Sequence, residues 1–179
     1  MNERRTGLYK TLCEMGADIL IEPGPEVCGE PVATVTASSS SLKGIEVPAS
    51  RAPSMIDEYP ILAVAAACAS GKTVMQGLGE LRVKESNRLQ AIIEGLHKCG
   101  VNASSRGDDL TINGCDGVVP GGDGTIITDK DHRIAMAFLT LGLCSKESVT
   151  VDDISMIGSS YPQFIPDMNL LGAKINFAS

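Results

Sequence analysis

Residues 57–77 read DEYPILAVAAACASGKTVMQG, and this stretch decides the fold. Its apolar run, Ile61–Ala69, has no polar stripe, and a helix that is apolar all round must be buried on every side. Pro60 is tolerated in the first turn of such a helix, and Asp57 stands where an N-terminal cap belongs. A short polar turn follows, and a strand is predicted over Thr73–Gln76.

A second stretch of the same kind spans residues 131–151, DHRIAMAFLTLGLCSKESVTV. It also begins with an acid, here Asp131 as the predicted cap, and continues as an apolar helix, a polar turn and a strand over Val149–Val151. Two helices that are apolar all round need other elements to cover them. The sequence therefore predicts a fold with helices in the middle and strands outside.

A helix of a different type occurs three times, amphipathic in the first two copies, and each copy ends in glycine followed by a small apolar residue and a strand. The residue just past a helix often adopts the left-handed conformation, which glycine reaches without steric strain. This pattern predicts a chain built from repeated units. The three copies occupy residues 4–22, 87–104 and 162–177, with the glycine at Gly16, Gly100 and Gly172.

The repeat predicts an α/β fold in which buried helices alternate with strands that form outer sheets. Further short strands are predicted at Val32–Val35 and Leu110–Ile112. A chain of 179 residues is long enough for one well-packed domain, so we expect residues 1–179 to form a single domain. The first unit lacks its leading acid and buried helix. The chain is therefore expected to begin in mid-repeat, as a fragment or as the start of a split gene.

The formal net charge of −7 argues against nucleic acid or an anionic membrane surface as the main partner. A small anion can still bind if the few cations converge on one site. The longest apolar run, Ile61–Ala69, is too short to cross a bilayer, and no signal-peptide pattern begins at Met1. The sequence thus predicts a soluble, cytoplasmic protein without a membrane partner.

Six cysteines are scattered along the chain without a CxxC pair. Three of them, Cys13, Cys68 and Cys144, lie in apolar helical stretches. This distribution favours reduced, mostly buried thiols over disulfides or a metal site.

Lys84, Glu85 and Arg88 lie within five positions at the start of an amphipathic helix predicted to begin near Ser86. Lys84 and Arg88 are four residues apart, so both can point past the helix N-terminus into the same space. Unpaired backbone N–H groups and the helix dipole favour anions there. Spacing alone leaves a second interpretation open, in which these residues form ordinary surface ion pairs worth about 0–1 kcal/mol each.

His132 and Arg133 open another helix, directly after the predicted cap Asp131. Arginine binds a planar carboxylate or phosphate through two parallel hydrogen bonds. Two helix starts that carry cations in an acidic protein predict a site for a small anion with more than one charged group. Spacing alone also leaves open that Asp57 only caps its helix and that His132 is a packed or capping side chain.

Three motifs, DEYP at 57–60, RVKESNRL at 82–89 and DHRIAM at 131–136, stand in the order that EPSP synthases use. The similarity runs from RRTGL at Arg4 to LGAKI near the end, so the chain resembles the C-terminal part of that family, nearest to its glyphosate-tolerant bacterial class. The resemblance implies a two-domain enzyme that transfers the enolpyruvyl group of phosphoenolpyruvate to shikimate 3-phosphate and releases phosphate. It also implies repeated βαβαββ units, arranged as an inside-out α/β barrel, and no metal or organic cofactor.

Catalytic roles are implied by the same resemblance. Asp57 of DEYP corresponds to the carboxylate that takes the proton from the shikimate hydroxyl. Glu85 of RVKES corresponds to the acid that protonates the enol methylene, and Lys84 shares in that proton transfer and holds phosphate. An addition of this kind needs a base on one substrate and an acid on the other.

Substrate contacts are implied as well. Lys84, Arg88 and Arg133 correspond to the cations that bind the carboxylate and phosphate of phosphoenolpyruvate, with His132 lining the same edge. The reaction implied by the resemblance passes through a tetrahedral intermediate with several negative charges, and cations held in fixed positions stabilise it. One departure is Asn87, where the family usually has aspartate, and we expect it to alter only a contact at the helix start.

The family's other, N-terminal domain supplies the groups that hold shikimate 3-phosphate. Those groups are expected to be absent from this chain, so the chain alone should not turn over. Two rival interpretations remain: a fragment of the related enolpyruvyl transferase that uses a nucleotide sugar, and a non-catalytic anion-binding domain. The motifs fit EPSP synthase better than the first rival, and the second leaves Asp57 and Glu85 without a role.

Overall fold

The computed structural model describes residues 1–122 and 124–176, apart from the side chain of Glu3. Phe177, the last residue of the third predicted copy, lies outside this part. The α-helices are α1 (Gly7–Glu14), α2 (Tyr59–Cys68), α3 (Arg88–Lys98), α4 (His132–Leu141), α5 (Ile157–Ser160) and α6 (Phe164–Leu170). The strands are β1 (Asp18–Val27), β2 (Glu30–Ser38), β3 (Glu46–Val47), β4 (Lys72–Met75), β5 (Asn102–Arg106), β6 (Asp109–Asn113), β7 (Thr125–Ile126) and β8 (Thr150–Val151).

The strands form three sheets. β1 and β2 make an antiparallel hairpin, with Ile21 opposite Val35. The four-stranded sheet has the order β3-β4-β6-β5, in which β3 is parallel to β4 and the other neighbours are antiparallel. β7 and β8 pair in parallel. Each parallel pair is joined through one apolar helix, α2 between β3 and β4 and α4 between β7 and β8, because parallel neighbours need a crossover connection.

α2 and α4 are the buried helices that the sequence predicts. None of the residues of these two fully described helices is exposed. In α2, Leu62, Ala66 and Ala67 are 0% exposed, and in α4 Phe138 is 2% exposed. The two helices pack against each other and against α3. The core therefore lies among helices, with the sheets outside, and the prediction of an α/β fold with buried helices is confirmed.

Helices α1, α3 and α6 end in the same hydrogen-bonded cap. Gly16, Gly100 and Gly172 have φ values of 95°, 73° and 101°, in the region that favours glycine. The residue after each glycine donates its N–H to a carbonyl five residues back, as in the Schellman motif. The N···O distances are 2.9 Å for Ala17 to Leu12, 2.9 Å for Val101 to Leu96 and 3.0 Å for Ala173 to Met168.

All four predicted strands are found. Val32–Val35 lies within β2 and Leu110–Ile112 lies within β6, while Thr73–Gln76 and Val149–Val151 overlap β4 and β8. The short strands alternate in burial, since Leu110 and Ile112 are 0% exposed and the residues between and beside them are less buried. This alternation is what the period-2 pattern predicted.

One of the two predicted caps is wrong. Asp131 caps α4, accepting hydrogen bonds from the N–H groups of Arg133 at 2.9 Å and Ile134 at 3.4 Å. Asp57 does not cap α2, because a 3-10 turn over Ile56–Glu58 comes first and α2 begins only at Tyr59. The carboxylate of Asp57 is therefore free to contact side chains from other elements.

No helix in residues 1–122 and 124–176 is long and apolar enough to cross a membrane. All six cysteines are free thiols, but the expectation that they are mostly buried is wrong, because Cys99 alone of the six is buried. The first residues of α3 and α4 and the turn before α2 lie together on one side of the core. That convergence positions the candidate site.

Candidate active site

Arg88, the first residue of α3, is the centre of the candidate site. Its side chain is 1% exposed, although arginine is almost never buried unless it is paired. The guanidinium contacts three carboxylates. A planar fork of five N–H donors can satisfy several acceptors at once, so three segments of the chain meet on one side chain. The distances are 2.7 Å from Nε to Asp131, 3.0 Å from Nη1 to Asp57 and 2.5 Å from Nη2 to Glu85.

Asp57 lies in the turn before α2 among several cations. Lys84 Nζ is 3.6 Å from its Oδ1, and Arg5 Nη2 is 3.7 Å from its Oδ2. Burial tends to raise the pKa of Asp57, but the surrounding positive charges, with Arg133 the strongest, outweigh it and lower the pKa below its ordinary value. The carboxylate is therefore ionised at neutral pH, as a proton acceptor must be.

Asp131 holds Arg88 in place. It is 0% exposed, and besides the Arg88 contact it accepts a hydrogen bond from Ser86 Oγ at 3.0 Å. Its other oxygen accepts the backbone N–H of Arg133 at the start of α4. Burial tends to raise the pKa of Asp131, but the hydrogen bond and charge of Arg88 outweigh it, so this pKa also lies below its ordinary value. One carboxylate thus joins the starts of α3 and α4.

The remaining cations are also paired with carboxylates. Lys84 Nζ lies 2.6 Å from Glu80, and this hydrogen bond raises the pKa of Lys84. Arg133 Nη1 donates to the backbone carbonyl of Asp57 at 3.0 Å and lies 3.5 Å from Glu58. Each cation of the cluster, Arg5 included, has a carboxylate oxygen within 4.0 Å. At Arg88, which is 1% exposed, an anionic ligand would have to take over contacts that these carboxylates now make.

The structure brings five of the six site residues expected from the sequence into one cluster. His132, the sixth, is the first residue of α4 and is partly buried. The hydrogen bonds and ion pairs described for the cluster do not involve it. The five that meet are Asp57, Lys84, Glu85, Arg88 and Arg133.

Sequence reasoning missed three members of the cluster. Arg5 lies more than fifty positions before Asp57, and nothing local to the Arg4-Arg5 pair indicates that it reaches the site. Glu58 follows Asp57 directly, and the paired acids could have suggested a second carboxylate. Asp131 was recognised only as a cap, although a buried arginine four residues after Lys84 would require an acidic partner.

A cavity of about 200 Å³ opens beside the cluster. Asp57 and Arg133 line it on one side, and the other walls are mostly apolar, including Met136 and Phe164. A larger cavity of about 700 Å³ lies between α1 and α2 and is lined by none of the charged residues of the cluster. Of these two cavities, only the smaller one is lined by charged residues of the cluster.

Comparison with known proteins agrees with the fold and the motifs. The sequence matches the family described as EPSP synthase (3-phosphoshikimate 1-carboxyvinyltransferase) over residues 2–168. A 3-phosphoshikimate 1-carboxyvinyltransferase of Rhodospirillum rubrum is 58% identical over 176 residues, which is 98% of this chain and 39% of the relative. One of Methylorubrum extorquens is 58% identical over 175 residues, covering 98% and 38%.

Solved structures show the same relationship. An EPSP synthase from Acinetobacter baumannii superposes with a TM-score of 0.94 at 37% identity, covering 100% of this chain and 41% of that one. The enolpyruvyl transferase NikO from Streptomyces tendae shares the fold, with a TM-score of 0.66 at 21% identity over 96% of this chain and 36% of that one. The chain spans about two fifths of the length of the relatives it matches. On the family match and these identities, the chain belongs to the EPSP synthase family.

Proposed function

We propose that this chain provides part of the active site of an EPSP synthase, which transfers the carboxyvinyl group of phosphoenolpyruvate to shikimate 3-phosphate and releases phosphate. The observation that carries the proposal is the meeting of an ionised Asp57 with Lys84, Arg88 and Arg133 beside a small cavity. A carboxylate base among fixed cations suits a reaction between two anionic substrates.

Asp57 is the proposed base for the acceptor hydroxyl. Its lowered pKa keeps it ionised, and its partial exposure leaves the carboxylate accessible from the cavity. As the hydroxyl oxygen bonds to C2 of phosphoenolpyruvate, its proton passes to Asp57. Glu85 gives a proton to C3, which becomes a methyl group in the tetrahedral adduct. Phosphate then leaves C2 while the ionised Glu85 takes back one methyl proton, and the double bond is restored.

Glu85 is the proposed acid for the methylene carbon, with Lys84 sharing in that proton transfer. In this structure the Glu85 carboxylate lies 2.5 Å from Arg88, and its side chain is 54% exposed. An acid must reach the methylene carbon, so the pair with Arg88 must open before Glu85 can act. Phosphoenolpyruvate, which brings its own carboxylate and phosphate to Arg88, would replace Glu85 in the pair.

Arg88, Arg133 and Lys84 are the proposed binding groups for phosphoenolpyruvate, with His132 at the edge of the same helix start. The two arginines suit its carboxylate and phosphate because each can donate two parallel hydrogen bonds. The present carboxylate partners keep the guanidinium groups oriented. Binding would exchange these intramolecular acceptors for those of the ligand.

A partner polypeptide is part of the proposal, because the chain spans about two fifths of its relatives' length. We place this chain in the C-terminal domain, and the missing N-terminal domain would hold shikimate 3-phosphate. The chain alone is therefore expected to be inactive. A cytoplasmic location is also proposed, since scattered free thiols suit a reducing compartment.

The test is reconstitution. The part of the Rhodospirillum rubrum relative that this chain does not match is expressed separately and mixed with the chain. Phosphate release is then measured with phosphoenolpyruvate and either shikimate 3-phosphate or a nucleotide-sugar acceptor. We expect release only in the mixture and only with shikimate 3-phosphate. Turnover with the nucleotide sugar instead would assign the chain to the other enolpyruvyl transferase.

A variant pair separates catalysis from scaffolding. Glu85→Gln in the mixture should lower the rate by about 10²–10⁴, the usual contribution of a general acid. Glu94→Gln, at an exposed position of the same helix α3, is the matched control and should leave the rate unchanged. An unchanged rate for Glu85→Gln would favour the non-catalytic anion-binding domain.

A further inference from the structure

The turn that leads into α4 has an unusual backbone conformation. Asp129 and Lys130 have φ values of 50° and 59°, in the region that favours glycine. The N–H of Asp131 donates to the carbonyl of Thr128 at 2.9 Å, so these two residues are the centre of a tight four-residue turn, the 128–131 turn. Turns with two positive φ values strongly prefer glycine at the second central position.

Other turns of this chain have that glycine. Cys28 and Gly29 have φ values of 53° and 78°, and Asp116 and Gly117 have φ values of 54° and 109°. Lys130 stands where these two turns have glycine, and a long side chain is sterically strained at such a φ value. Backbone strain of this kind persists only where the surrounding structure holds it in place.

Asp152, which directly follows β8, holds the turn through Thr128. Its Oδ1 accepts the backbone N–H of Thr128 at 2.9 Å and the Thr128 hydroxyl at 2.8 Å, and the hydroxyl also lies 3.3 Å from the carbonyl oxygen of Asp153. Thr128 is 0% exposed, so its two donors depend on these acceptors. The N–H of Asp152 in turn donates to Ile126 of β7 at 3.0 Å, which fixes the acceptor on the sheet.

The 128–131 turn ends at Asp131 and so reaches the candidate site. The Asp131 carboxylate lies 2.7 Å from Arg88 Nε and caps α4. A series of direct contacts therefore runs from Asp152 through Thr128 and Asp131 to Arg88. If the turn relaxed to negative φ values, the chain would enter Asp131 in another direction, and the carboxylate would move away from the guanidinium.

We infer that Thr128 and Asp152 are positioning residues of the candidate site, because they hold the 128–131 turn in its strained conformation and thereby place Asp131 against Arg88. Neither residue is among the six site residues expected from the sequence, and neither lines the smaller cavity. They act only through Asp131. The inference rests on the proposed function only for the claim that the Arg88 guanidinium binds phosphoenolpyruvate.

The NMR signal of the Arg88 Nε–H group tests the inference in the chain alone. This group donates to Asp131, and its signal is assigned by its absence in Arg88→Lys. Thr128→Val replaces the hydroxyl with a methyl group, and we expect the signal to shift toward the position of a solvated arginine. Thr128→Ser keeps the hydroxyl and should keep the original signal. Thr150→Val, at an exposed position of β8, is the matched control and should also keep it.

A second variant covers the case in which Thr128→Val does not fold. Asp152 is exposed, so Asp152→Ala should fold, and it removes the acceptor of both Thr128 donors. We expect a larger shift of the Arg88 signal in Asp152→Ala than in Thr128→Val. A change in global stability alone leaves the signal of the folded chain in place, so the shift separates positioning from a merely structural role.

A glycine shows whether backbone strain is what the pair opposes. Lys130→Gly removes the strained side chain, so adding it to Asp152→Ala should return the Arg88 signal to its original position. Lys130→Ala in the same background is the matched control. It loses the lysine charge but keeps a Cβ at a φ value of 59°, and it should not restore the signal.

The same variants connect the turn to the proposed reaction. In the reconstituted mixture, Thr128→Val should raise KM for phosphoenolpyruvate by about fivefold to tenfold, the usual effect of one lost hydrogen bond. Thr150→Val should leave KM unchanged, and Thr128→Ser should keep it near the original value.

Two results would overturn the inference. One is an Arg88 signal that does not shift in folded Asp152→Ala. The other is a shift that Lys130→Gly fails to reverse, because strain in the turn would then not be what the pair opposes. A shifted signal combined with no phosphate release from the unaltered mixture would uphold the positioning role and count against the proposed function, so the two failures are distinguishable.

Discussion

Arg88 Nε lies 2.7 Å from a carboxylate oxygen of Asp131, and the same carboxylate caps helix α4. The cap fixes Asp131 by backbone hydrogen bonds, and Asp131 in turn fixes the guanidinium at the start of α3. The guanidinium that we propose binds an anion is thereby oriented before a ligand arrives. Preorganisation of this kind avoids the free-energy cost of ordering a long side chain during binding.

Removal of the Asp131 charge should destabilise the chain. Asp131→Asn keeps a side chain that can cap α4 but removes a negative charge that balances the buried positive charge of Arg88. Loss of one partner of a buried ion pair costs about 3–5 kcal/mol, and the remaining carboxylates near Arg88 favour the lower end. Urea unfolding of the chain measures the change.

The matched control for Asp131→Asn is Asp108→Asn. Asp108 pairs with Arg82 at 3.2 Å on the surface, with its side chain 57% exposed. Exposed pairs contribute about 0–1 kcal/mol, so this variant should barely change the free energy of unfolding. Equal effects of the two substitutions would contradict the central role of the Arg88–Asp131 pair.

The stability of the chain should fall at acid pH because of Asp57 and Asp131. Both have folded-state pKa values below the ordinary value of 3.8, so the unfolded chain binds protons first as pH falls. Their contribution is present above the unfolded-state pKa and is lost as pH falls through the lower folded-state values. Urea unfolding between pH 7 and pH 3 should show a steep loss below about pH 4.

Asp57→Asn tests that pH dependence. The variant removes one of the two groups, so its free energy of unfolding should fall less steeply below about pH 4 than that of the unaltered chain. A slope that is unchanged in Asp57→Asn would mean that the cations around Asp57 do not lower its pKa in the folded chain.

Arg133 should matter for phosphoenolpyruvate more than for stability. It is about one-third exposed, and its hydrogen bond to Asp57 goes to the backbone carbonyl at 3.0 Å, so the carboxylate feels its charge without a direct hydrogen bond. In the reconstituted mixture, Arg133→Lys keeps the charge but loses the two-pronged geometry, and KM for phosphoenolpyruvate should rise by about tenfold. Lys98→Arg, on the far end of α3, is the control. A normal KM for Arg133→Lys would remove Arg133 from the binding site.

Much of the fold could be predicted because its determinants are local. The burial of α2 and α4 follows from the apolar runs of the helices themselves. Three helix ends follow from the glycine next to each, which is Gly16, Gly100 or Gly172. Each also has one physical interpretation, burial for the helices and a left-handed backbone for the glycines. These predictions were therefore confirmed.

The candidate site was predictable only in part, because its determinants are distant in sequence. From local spacing, Asp57 was predicted to cap α2. A 3-10 turn instead separates it from the helix, and its carboxylate pairs with Arg88 and Lys84. Local spacing placed Arg88 either at an anion site or in a surface ion pair, whereas tertiary packing buries it among three carboxylates. Nothing near Arg5 indicated its position beside Asp57. Contacts between distant segments decide where such charged side chains lie and what they pair with. The periodicity of the sequence carries no information on those contacts.

Gly95, in the middle of α3, offers a test in which two effects oppose each other. Helix propensity favours alanine over glycine by about 0.8–1.0 kcal/mol at an interior position. A Cβ at Gly95 would, however, lie 2.6 Å from Cε2 of the Phe138 ring on α4, and overpacking of a core costs about 1–3 kcal/mol. We expect the overlap to dominate, so Gly95→Ala should be less stable than the unaltered chain.

The double variant shows whether Phe138 is the cause. Phe138→Leu alone should destabilise the chain, because it removes part of a ring that is 2% exposed. If the added methyl group of Gly95→Ala overlaps with the Phe138 ring, the double variant should lose less free energy of unfolding than the sum of the two single variants. The expected coupling is about 0.5–3 kcal/mol. Gly158→Ala, where a Cβ meets nothing within 4 Å, should not destabilise the chain. Strict additivity would mean that α3 and α4 move apart to accept the methyl group, and Arg88 and Asp131 at their starts would then separate as well.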